Sequence, residues 1–226
     1  MYTDLLKDAI FENNIDKVNE LTCNDNYIDI NKIYENDTLL TIACKLNNNM
    51  IIKSIIWYPG ININILNGRA LWILIFRQNY HILNLIINEI DVNIMDEYYG
   101  SILHYLVKYT NNIPLIKLVV QVKNFNVNIM YNNNTPLTFL QNQVNCLTNN
   151  ELLATYNNKT LNDYYIMINI ILERNDVNYD NLVKMLNDNY PEYIHVKINK
   201  ILYNICSEIC ASNILLSDDY LEIKYM

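Results

Sequence analysis

Glycine and proline are scarce in this chain of 226 residues, which contains only 3 Gly and 4 Pro. So few glycines exclude a glycine-rich loop that cradles phosphates. Turns that need a left-handed backbone must also use another residue, and asparagine tolerates that conformation best after glycine. Asparagine occurs in runs such as Asn47-Asn48-Asn49 and Asn132-Asn133-Asn134. We therefore expect asparagine to form many of the turns.

Positive charge is also in deficit, with 16 Lys and Arg against 24 Asp and Glu and a net charge of −8. Nucleic-acid binding depends on a basic surface that neutralises phosphates, and no Lys/Arg cluster supplies one. Anionic membrane surfaces are disfavoured for the same reason. We expect neither nucleic acid nor a membrane as a partner.

Long hydrophobic runs are missing as well. The first residues, Met1 to Phe11, include Asp4, Lys7 and Asp8, so they lack the apolar core of a signal peptide. The longest apolar stretch, Ala70 to Phe76, is too short to span a bilayer. These features predict a soluble protein of the cytoplasm. We also expect a monomer.

Residues for catalysis or metal binding are few and scattered. The odd number of cysteines, 5, fits reduced thiols and no metal or cofactor. No Ser or Cys lies in a recognisable nucleophile motif, so we predict no catalytic residue. Trp72 and Phe76 lie four residues apart, a spacing typical of packing on one helix face. The cysteines and histidines are Cys23, Cys44, Cys146, Cys206 and Cys210, and His81, His104 and His195.

Two landmarks repeat along the chain. The first is a short run with Val or Ile before Asn, preceded in most copies by a helical apolar stripe such as Ile82 to Ile87. The second is a leucine in motifs such as Thr135-Pro136-Leu137-Thr138, and it recurs at intervals of 31 to 34 residues. The runs are Asp29-Ile30-Asn31, Asn62-Ile63-Asn64, Asp91-Val92-Asn93, Asn126-Val127-Asn128 and Asp176-Val177-Asn178; the leucines are Leu6, Leu40, Leu71, Leu103 and Leu137.

This pattern resembles the ankyrin repeat, whose period is about 33 residues and whose first helix opens with Thr-Pro-Leu-His. The resemblance implies an all-α solenoid of five helix pairs, with outward loops that pair as hairpins and with His104 in a structural role. The implied repeats are 1–34, 35–66, 67–96, 97–130 and 131–178. They are followed by a degenerate capping helix pair at 179–205 and a C-terminal tail at 206–226.

The expected helix ends follow from capping chemistry. Thr38, Ser101 and Thr135 stand where a hydroxyl can accept an unpaired N–H of the first helix. At the turn between paired helices the family usually has Gly, and here the pairs Asn13-Asn14, Asn47-Asn48 and Asn111-Asn112 replace it.

The repeat is interrupted near its C-terminal end. The fifth repeat is longer than the others, and residues 143–163 are either an inserted loop or a lengthened first helix. The last residues, Leu215 to Met226, resemble the opening of the F-box-like segment of poxviral ankyrin proteins. Its proline is absent here, so the motif is either truncated or a chance match.

The resemblance further implies a protein-binding surface made of loop tips and exposed positions on the first helices. Aromatic and Arg side chains at such positions favour binding, although Tyr is common throughout this chain and some must fall on tips. The predicted tip residues are Tyr34, Glu35, Asp37, Ile65, Leu66, Glu97, Tyr98, Tyr131 and Asn132. The predicted helix residues are Lys45, Leu46, Phe76, Arg77, Lys108, Tyr109 and Gln143.

The abundance of Asn, Ile, Lys and Tyr, with 19 Tyr, is typical of an AT-rich genome. Together with the divergent repeats and the small size it resembles ankyrin proteins of poxviruses and other large DNA viruses, and AT-rich protists and bacteria carry similar chains. That resemblance implies a non-enzymatic scaffold that binds a host protein, such as an innate-immune or ubiquitin-ligase component. If the protein is viral, we expect it in the host cytoplasm or nucleus. The alternative is an enzyme or toxin that uses a helical-repeat scaffold.

The leucine register predicts that Leu103→Asp destabilises the fold severely, because it buries a carboxylate without a partner. Thermal melts of the two proteins test this. An unchanged midpoint would show that the register is wrong.

Overall fold

A computed structural model of the chain describes residues 1–24, 27–148, 159–174, 176–178, 180, 182, 185 and 190–211. These residues are mostly helical, which confirms the expected all-α class. The helices are α1 (Tyr2–Phe11), α2 (Ile15–Cys23), α3 (Leu39–Leu46), α4 (Asn49–Ile56), α5 (Ile65–Phe76), α6 (Tyr80–Ile86), α7 (Ile102–Tyr109), α8 (Ile113–Val120), α9 (Pro136–Thr148), α10 (Leu161–Ile171) and α11 (Glu192–Ala211).

Two short antiparallel hairpins accompany the helices. Strands β1 (Ile33–Tyr34) and β2 (Asp37–Thr38) pair just before α3. Strands β3 (Met95–Asp96) and β4 (Gly100–Ser101) pair just before α7. The resemblance implied a hairpin before α5 as well, but there the chain instead forms a left-handed turn at Leu66–Gly68, within the first residues of α5.

The chain divides into two compact units. The first comprises Met1–Ile102 and Gln121–Phe125, and the second comprises Leu103–Val120 and the residues from Asn126 onward. In the first unit α1 packs on α2, α3 on α4 and α5 on α6. In the same unit α1, α3 and α5 pack side by side, as do α2, α4 and α6. In the second unit α10 packs against both α8 and α9.

The register leucines form the centres of these packed helices. Leu6, Leu40 and Leu71 are buried in the first unit, and Leu103 and Leu137 are buried in the second. Burying a leucine side chain contributes about 1.5–3 kcal/mol relative to leaving it exposed. The repeated leucine therefore marks the core, as the sequence predicted.

Threonine caps begin two of the first helices. The Thr38 hydroxyl accepts the Thr41 N–H at 3.2 Å, and the Thr41 hydroxyl accepts the Thr38 N–H at 2.7 Å. Thr135 and Thr138 make the same reciprocal pair, at 3.1 and 2.7 Å. Both helices thus have the predicted N-cap, in the reciprocal form known as a capping box.

Asparagine does replace glycine at two of the three turns where we expected it. Asn13 and Asn47 have positive φ values of 54° and 58°. The expectation was wrong at Asn111 and Asn112, neither of which has a positive φ. There the Thr110 hydroxyl accepts the Asn112 N–H at 3.3 Å, so the turn needs no left-handed residue. Between α5 and α6 the left-handed residue is Gln78, with φ 53°, which the sequence did not indicate.

Asparagine side chains also connect successive helix pairs at the turns. The Asn48 amide donates to Asn13 Oδ1 at 2.8 Å, and the Asn79 amide donates to Asn47 Oδ1 at 2.8 Å. Asn48 and Asn79 at the same time accept N–H groups of α4 and α6 as N-caps. Each of these two side chains therefore caps the N-terminus of its own helix and also forms a hydrogen bond to the turn of the preceding helix pair.

A second set of connections uses the asparagine that ends each Val-Asn or Ile-Asn run; we call these contacts the asparagine bridges. Asn31 accepts the Asn62 N–H and donates to the Gly60 carbonyl, both at 2.8 Å. Asn64 accepts the Asp91 N–H at 2.8 Å, and Asn93 donates to the Asn124 carbonyl at 2.9 Å. Each bridge satisfies backbone groups about one repeat further along the chain.

The last asparagine bridge contacts a different position of the next run. Asn128 accepts the N–H of Asn178, the third residue of its run, whereas Asn31 pairs with the first residue of the next run. The Asp176 carboxylate is held instead by Arg174 Nε at 2.7 Å. The Asn178 side chain then accepts the Asp180 N–H at 2.9 Å, so the pattern resumes two residues late.

The interrupted region is described only in part. Helix α9 extends to Thr148 and is 13 residues long, against 8 for α3 and α7. Residues 149–158 of the predicted insertion lie outside the described residues, and so does the F-box-like stretch 215–226. Helix α11 continues to Ala211, beyond the predicted end of the cap at residue 205.

We predict that Asn31→Ala lowers the free energy of unfolding by about 1–3 kcal/mol, because two hydrogen bonds of about 0.5–1.5 kcal/mol each are lost. Urea unfolding measures the change. Asn88→Ala, at an exposed position outside the asparagine bridges, is the control and should change stability by less than about 0.5 kcal/mol. Equal effects of the two substitutions would contradict the role of the bridges.

Candidate functional site

The predicted binding residues are all at least partly exposed in the structure. Three of them, Leu66, Phe76 and Glu97, line one concave surface between α5 and the β3–β4 hairpin. We call this surface the α5–hairpin groove. Its volume is about 600 Å³, and its lining consists of Leu66, Asn67, Arg69, Trp72, Ile73, Phe76, Met95, Asp96 and Glu97.

An aromatic cluster forms the wall of the groove. The ring centroids of Trp72 and Phe76 are 5.7 Å apart, and Tyr99 lies 6.2 Å from Trp72 and 5.6 Å from Phe76. Trp72 is largely buried, whereas 45 % of Phe76 is exposed. The spacing of Trp72 and Phe76 predicted their packing on one helix face. It did not predict Tyr99, which reaches the cluster from the hairpin.

The β3–β4 hairpin positions the polar side of the groove. Its turn is closed by Asp96, whose Oδ1 accepts the N–H groups of Tyr98 at 2.8 Å and Tyr99 at 3.0 Å. Gly100 supplies a positive φ of 74°. These contacts fix the Asp96 carboxylate at the groove and leave Tyr98 at the hairpin tip, 73 % exposed.

Opposite charges meet beside the groove. Asp37 lies within 3.3 Å of Arg69 Nε and binds Lys45 at 2.5 Å. Burial works to raise the pKa of Asp37, but the hydrogen bonds from Lys45 and Thr41 and the charge of Arg69 outweigh it, so this pKa lies below its ordinary value. Asp37 therefore stays ionised, and its one negative charge is shared between Lys45 and Arg69.

The edge of the groove has an unusual backbone. Leu66, Asn67 and Gly68 are consecutive left-handed residues, with φ values of 56°, 52° and 64°. Each non-glycine residue in this conformation costs about 1–2 kcal/mol, and such strain clusters at ligand-binding sites. A Cβ on Gly68 would lie 2.4 Å from Ile94 Cδ1, so this position also needs the missing side chain.

Tyr34 is arranged differently from the other predicted tip residues. Its hydroxyl donates to Asp4 Oδ1 at 3.0 Å, and Lys7 and Lys32 lie 4.9 and 4.7 Å from its ring centroid. Hydrogen bonds from Lys32 and Tyr34 hold the pKa of Asp4 well below its usual range. Tyr34 thus connects β1 to α1, a contact that the sequence did not indicate.

In the second unit, Tyr131 packs edge-on against His104, with ring centroids 5.7 Å apart. His104 Nε2 lies 2.9 Å from the Asn134 carbonyl oxygen. Burial lowers the pKa of His104, although the Asn134 contact works to raise it. His104 thus has the structural hydrogen bond that the family resemblance implied.

Sequence reasoning missed the buried lysine of the second unit. Lys159 is 3 % exposed, and its ammonium donates to the Val107 and Lys108 carbonyls at 2.9 and 2.7 Å. It therefore caps the C-terminal end of α7, where a positive charge is favourable. Desolvation lowers the pKa of Lys159 to about 8. Because Lys159 lies in the predicted insertion, the repeat pattern did not indicate that it caps α7.

Comparisons with family models, with curated proteins and with solved structures found no match. Across the described part of the chain, no three His, Cys, Asp or Glu side chains are grouped so that they could hold a metal ion. No helix within that same part has both the length and the apolar character needed to cross a membrane.

We predict that Lys159→Met changes how stability depends on pH. The pKa of Lys159 is lower in the folded state than in the unfolded state, so between pH 8 and 10.5 the unfolded chain binds more protons and the free energy of unfolding rises with pH. From about pH 7.5 to 9.5 this rise should exceed that of the variant by about 2 kcal/mol.

Urea unfolding at both pH values measures the difference. Tyrosines and thiols titrate in both proteins, so their contributions cancel. A parallel pH dependence of the two proteins would show that Lys159 keeps its ordinary pKa.

Proposed function

We propose that this chain is an ankyrin-like helical-repeat scaffold that binds another protein through the α5–hairpin groove and the neighbouring hairpin tips. The groove is the observation that carries the proposal. It joins exposed aromatic, aliphatic and charged side chains from two different elements, and such mixtures are typical of protein-binding hot spots.

The ankyrin-like part of the proposal is supported by features that recur with the repeat. The buried leucines return at intervals of 31 to 34 residues, and three of the asparagine bridges span about one repeat. The two threonine capping boxes begin first helices three repeats apart. Two hairpins precede first helices, as in the ankyrin unit. Paired helices that stack on their neighbours also suit a solenoid, in which each repeat is stabilised by the next.

We further propose that the partner is a host protein and that the chain acts as a monomer in the cytoplasm of a virus-infected cell. The composition and divergent repeats support a viral origin. Ankyrin proteins of large DNA viruses bind innate-immune and ubiquitin-ligase components, so these are the first classes of partner to test.

An enzyme or toxin on the same scaffold is the competing function. The groove lining contains no Ser, Cys or His, and of its two carboxylates Asp96 is engaged by the N–H groups of Tyr98 and Tyr99 that close the hairpin. Lys159, the one strongly shifted amine among the described lysines, is buried against two carbonyls rather than placed in the groove. We therefore propose a non-enzymatic role.

The direct test is a pull-down from host-cell extract followed by mass spectrometry, with the Phe76→Ala variant as parallel bait. A partner retained by the parent chain and lost by the variant supports the proposal. Partners that bind both baits equally would contradict binding at the groove. A catalytic activity abolished by substituting His81, His104 or His195 would favour the competing function.

We predict that Tyr98→Ala weakens binding of the identified partner by about 2 kcal/mol, roughly thirtyfold. Tyr98 is the exposed residue at the hairpin tip, and tyrosine offers a large contact area with few torsions to freeze. Lys117→Ala, at an exposed position on α8, should cost little. Calorimetry measures both affinities, with circular dichroism as the check on folding. Loss of binding in Lys117→Ala but not in Tyr98→Ala would place the interface elsewhere.

A further inference from the structure

We propose that the α5–hairpin groove binds a peptide segment of the partner in which an apolar side chain is flanked by Arg or Lys. This inference rests on the proposed function and adds the chemistry of the recognised segment. It follows from the separation of apolar and acidic side chains within the groove.

The apolar side of the groove is formed by Leu66, Phe76 and Met95. Phe76 and Met95 expose 45 % and 39 % of their surface although they lie beside a packed aromatic cluster. A partner side chain placed against them removes apolar area from water on both surfaces, which stabilises the complex. The volume of about 600 Å³ lies within the range of about 300–1,000 Å³ found for ligand pockets.

The acidic side of the groove is formed by Asp96 and Glu97 on the hairpin. The one basic residue of the lining, Arg69, lies 3.3 Å from Asp37, which also binds Lys45. The two carboxylates of the hairpin outnumber this one guanidinium, so the lining has a net negative charge, and the whole chain has a net charge of −8. A basic segment is complementary to this field, whereas an acidic one is repelled.

The aromatic rings beside the groove also favour a positively charged side chain of the partner. A guanidinium or ammonium group attracts the face of a nearby Trp, Tyr or Phe ring. The ring of Phe76 and the carboxylates of Asp96 and Glu97 all line the groove. An arginine of the partner can therefore contact a ring and a carboxylate together.

The groove is also held in its shape before binding. The Asp96 carboxylate is fixed by two backbone N–H groups, and Phe76 is wedged between Trp72 and Tyr99. The left-handed turn from Leu66 to Gly68 fixes the opposite edge. Preorganisation lowers the entropic cost of binding, so a short peptide is enough for measurable affinity.

The test uses the full chain with Trp57→Phe. The chain has 2 Trp, and Trp57 is 68 % exposed, so this change leaves the groove residue Trp72 as the single fluorescent reporter. A display library of short random peptides is first selected on this protein. The probes for titration are then Gly-Arg-Leu-Phe-Arg-Gly, its charge-reversed form with Glu for Arg, and its form with Ser for Leu and Phe.

We predict that selection enriches peptides with apolar residues beside Arg or Lys, and that only the first probe changes the Trp72 emission. Phe76→Ala should weaken its binding about tenfold. Asp96→Asn, which keeps the amide oxygen that closes the hairpin, and Glu97→Gln should each weaken it about twofold to fivefold. Added salt should weaken it further.

Two matched variants serve as controls. Leu85 is exposed by 46 %, nearly as much as Phe76, but lies on α6, so Leu85→Ala should leave binding unchanged. Glu89→Gln removes one negative charge outside the groove lining and should also leave peptide binding unchanged. Effects of the control variants as large as those of the groove variants would overturn the proposed site.

The remaining outcomes separate the two proposals. If the selected peptides are acidic or uncharged, or if binding does not depend on the groove residues, the inference fails while capture of a host protein can still succeed. If selection on the folded protein enriches no sequence, the peptide inference is also refuted. The proposed scaffold function is then decided independently by the pull-down with the Phe76→Ala bait.

Discussion

The hydrogen bonds of asparagine side chains to the backbone are the constraint on which the repeated structure depends. Each helix pair leaves N–H and carbonyl groups unpaired at its turns and loops, and these groups are costly if they are not satisfied. A chain with 3 Gly cannot rely on glycine for its turns. Asparagine tolerates the left-handed backbone of these turns. Its side-chain oxygen caps helices, and its side-chain amide forms hydrogen bonds with the backbone of the next repeat.

The groove depends on the same bonds. Asn64 accepts the Asp91 N–H at 2.8 Å and so ties the start of α5 to the segment that leads into β3. The aromatic cluster then closes between these two elements, through contacts of Tyr99 with Trp72 and Phe76. Because α5 and the β3–β4 hairpin are connected in this way, the side chains of the groove are positioned more precisely than on a single loop. Precise positioning of side chains favours specific binding.

The sequence predicted the parts of the fold that depend on local pattern. The leucine interval located the core, and the threonine motifs located helix starts, because packing and capping involve residues close in sequence. Contacts between distant residues could not be read in this way. Tyr99 joins Trp72 from 27 positions along the chain. Lys159 reaches Val107 across 52 positions, and Asn128 pairs with Asn178 across 50.

The three glycines of the first unit differ in how much they restrict substitution. Gly60, Gly68 and Gly100 all have positive φ, so each occupies a backbone conformation that glycine adopts without strain. At Gly60 an added Cβ would meet nothing within 4 Å, whereas at Gly68 it would lie 2.4 Å from Ile94 Cδ1. A side chain at Gly60 would therefore meet only the strain of its left-handed backbone, which asparagine tolerates best after glycine. A side chain at Gly68 would meet that strain and would also displace Ile94, so the edge of the groove restricts this position to glycine twice over.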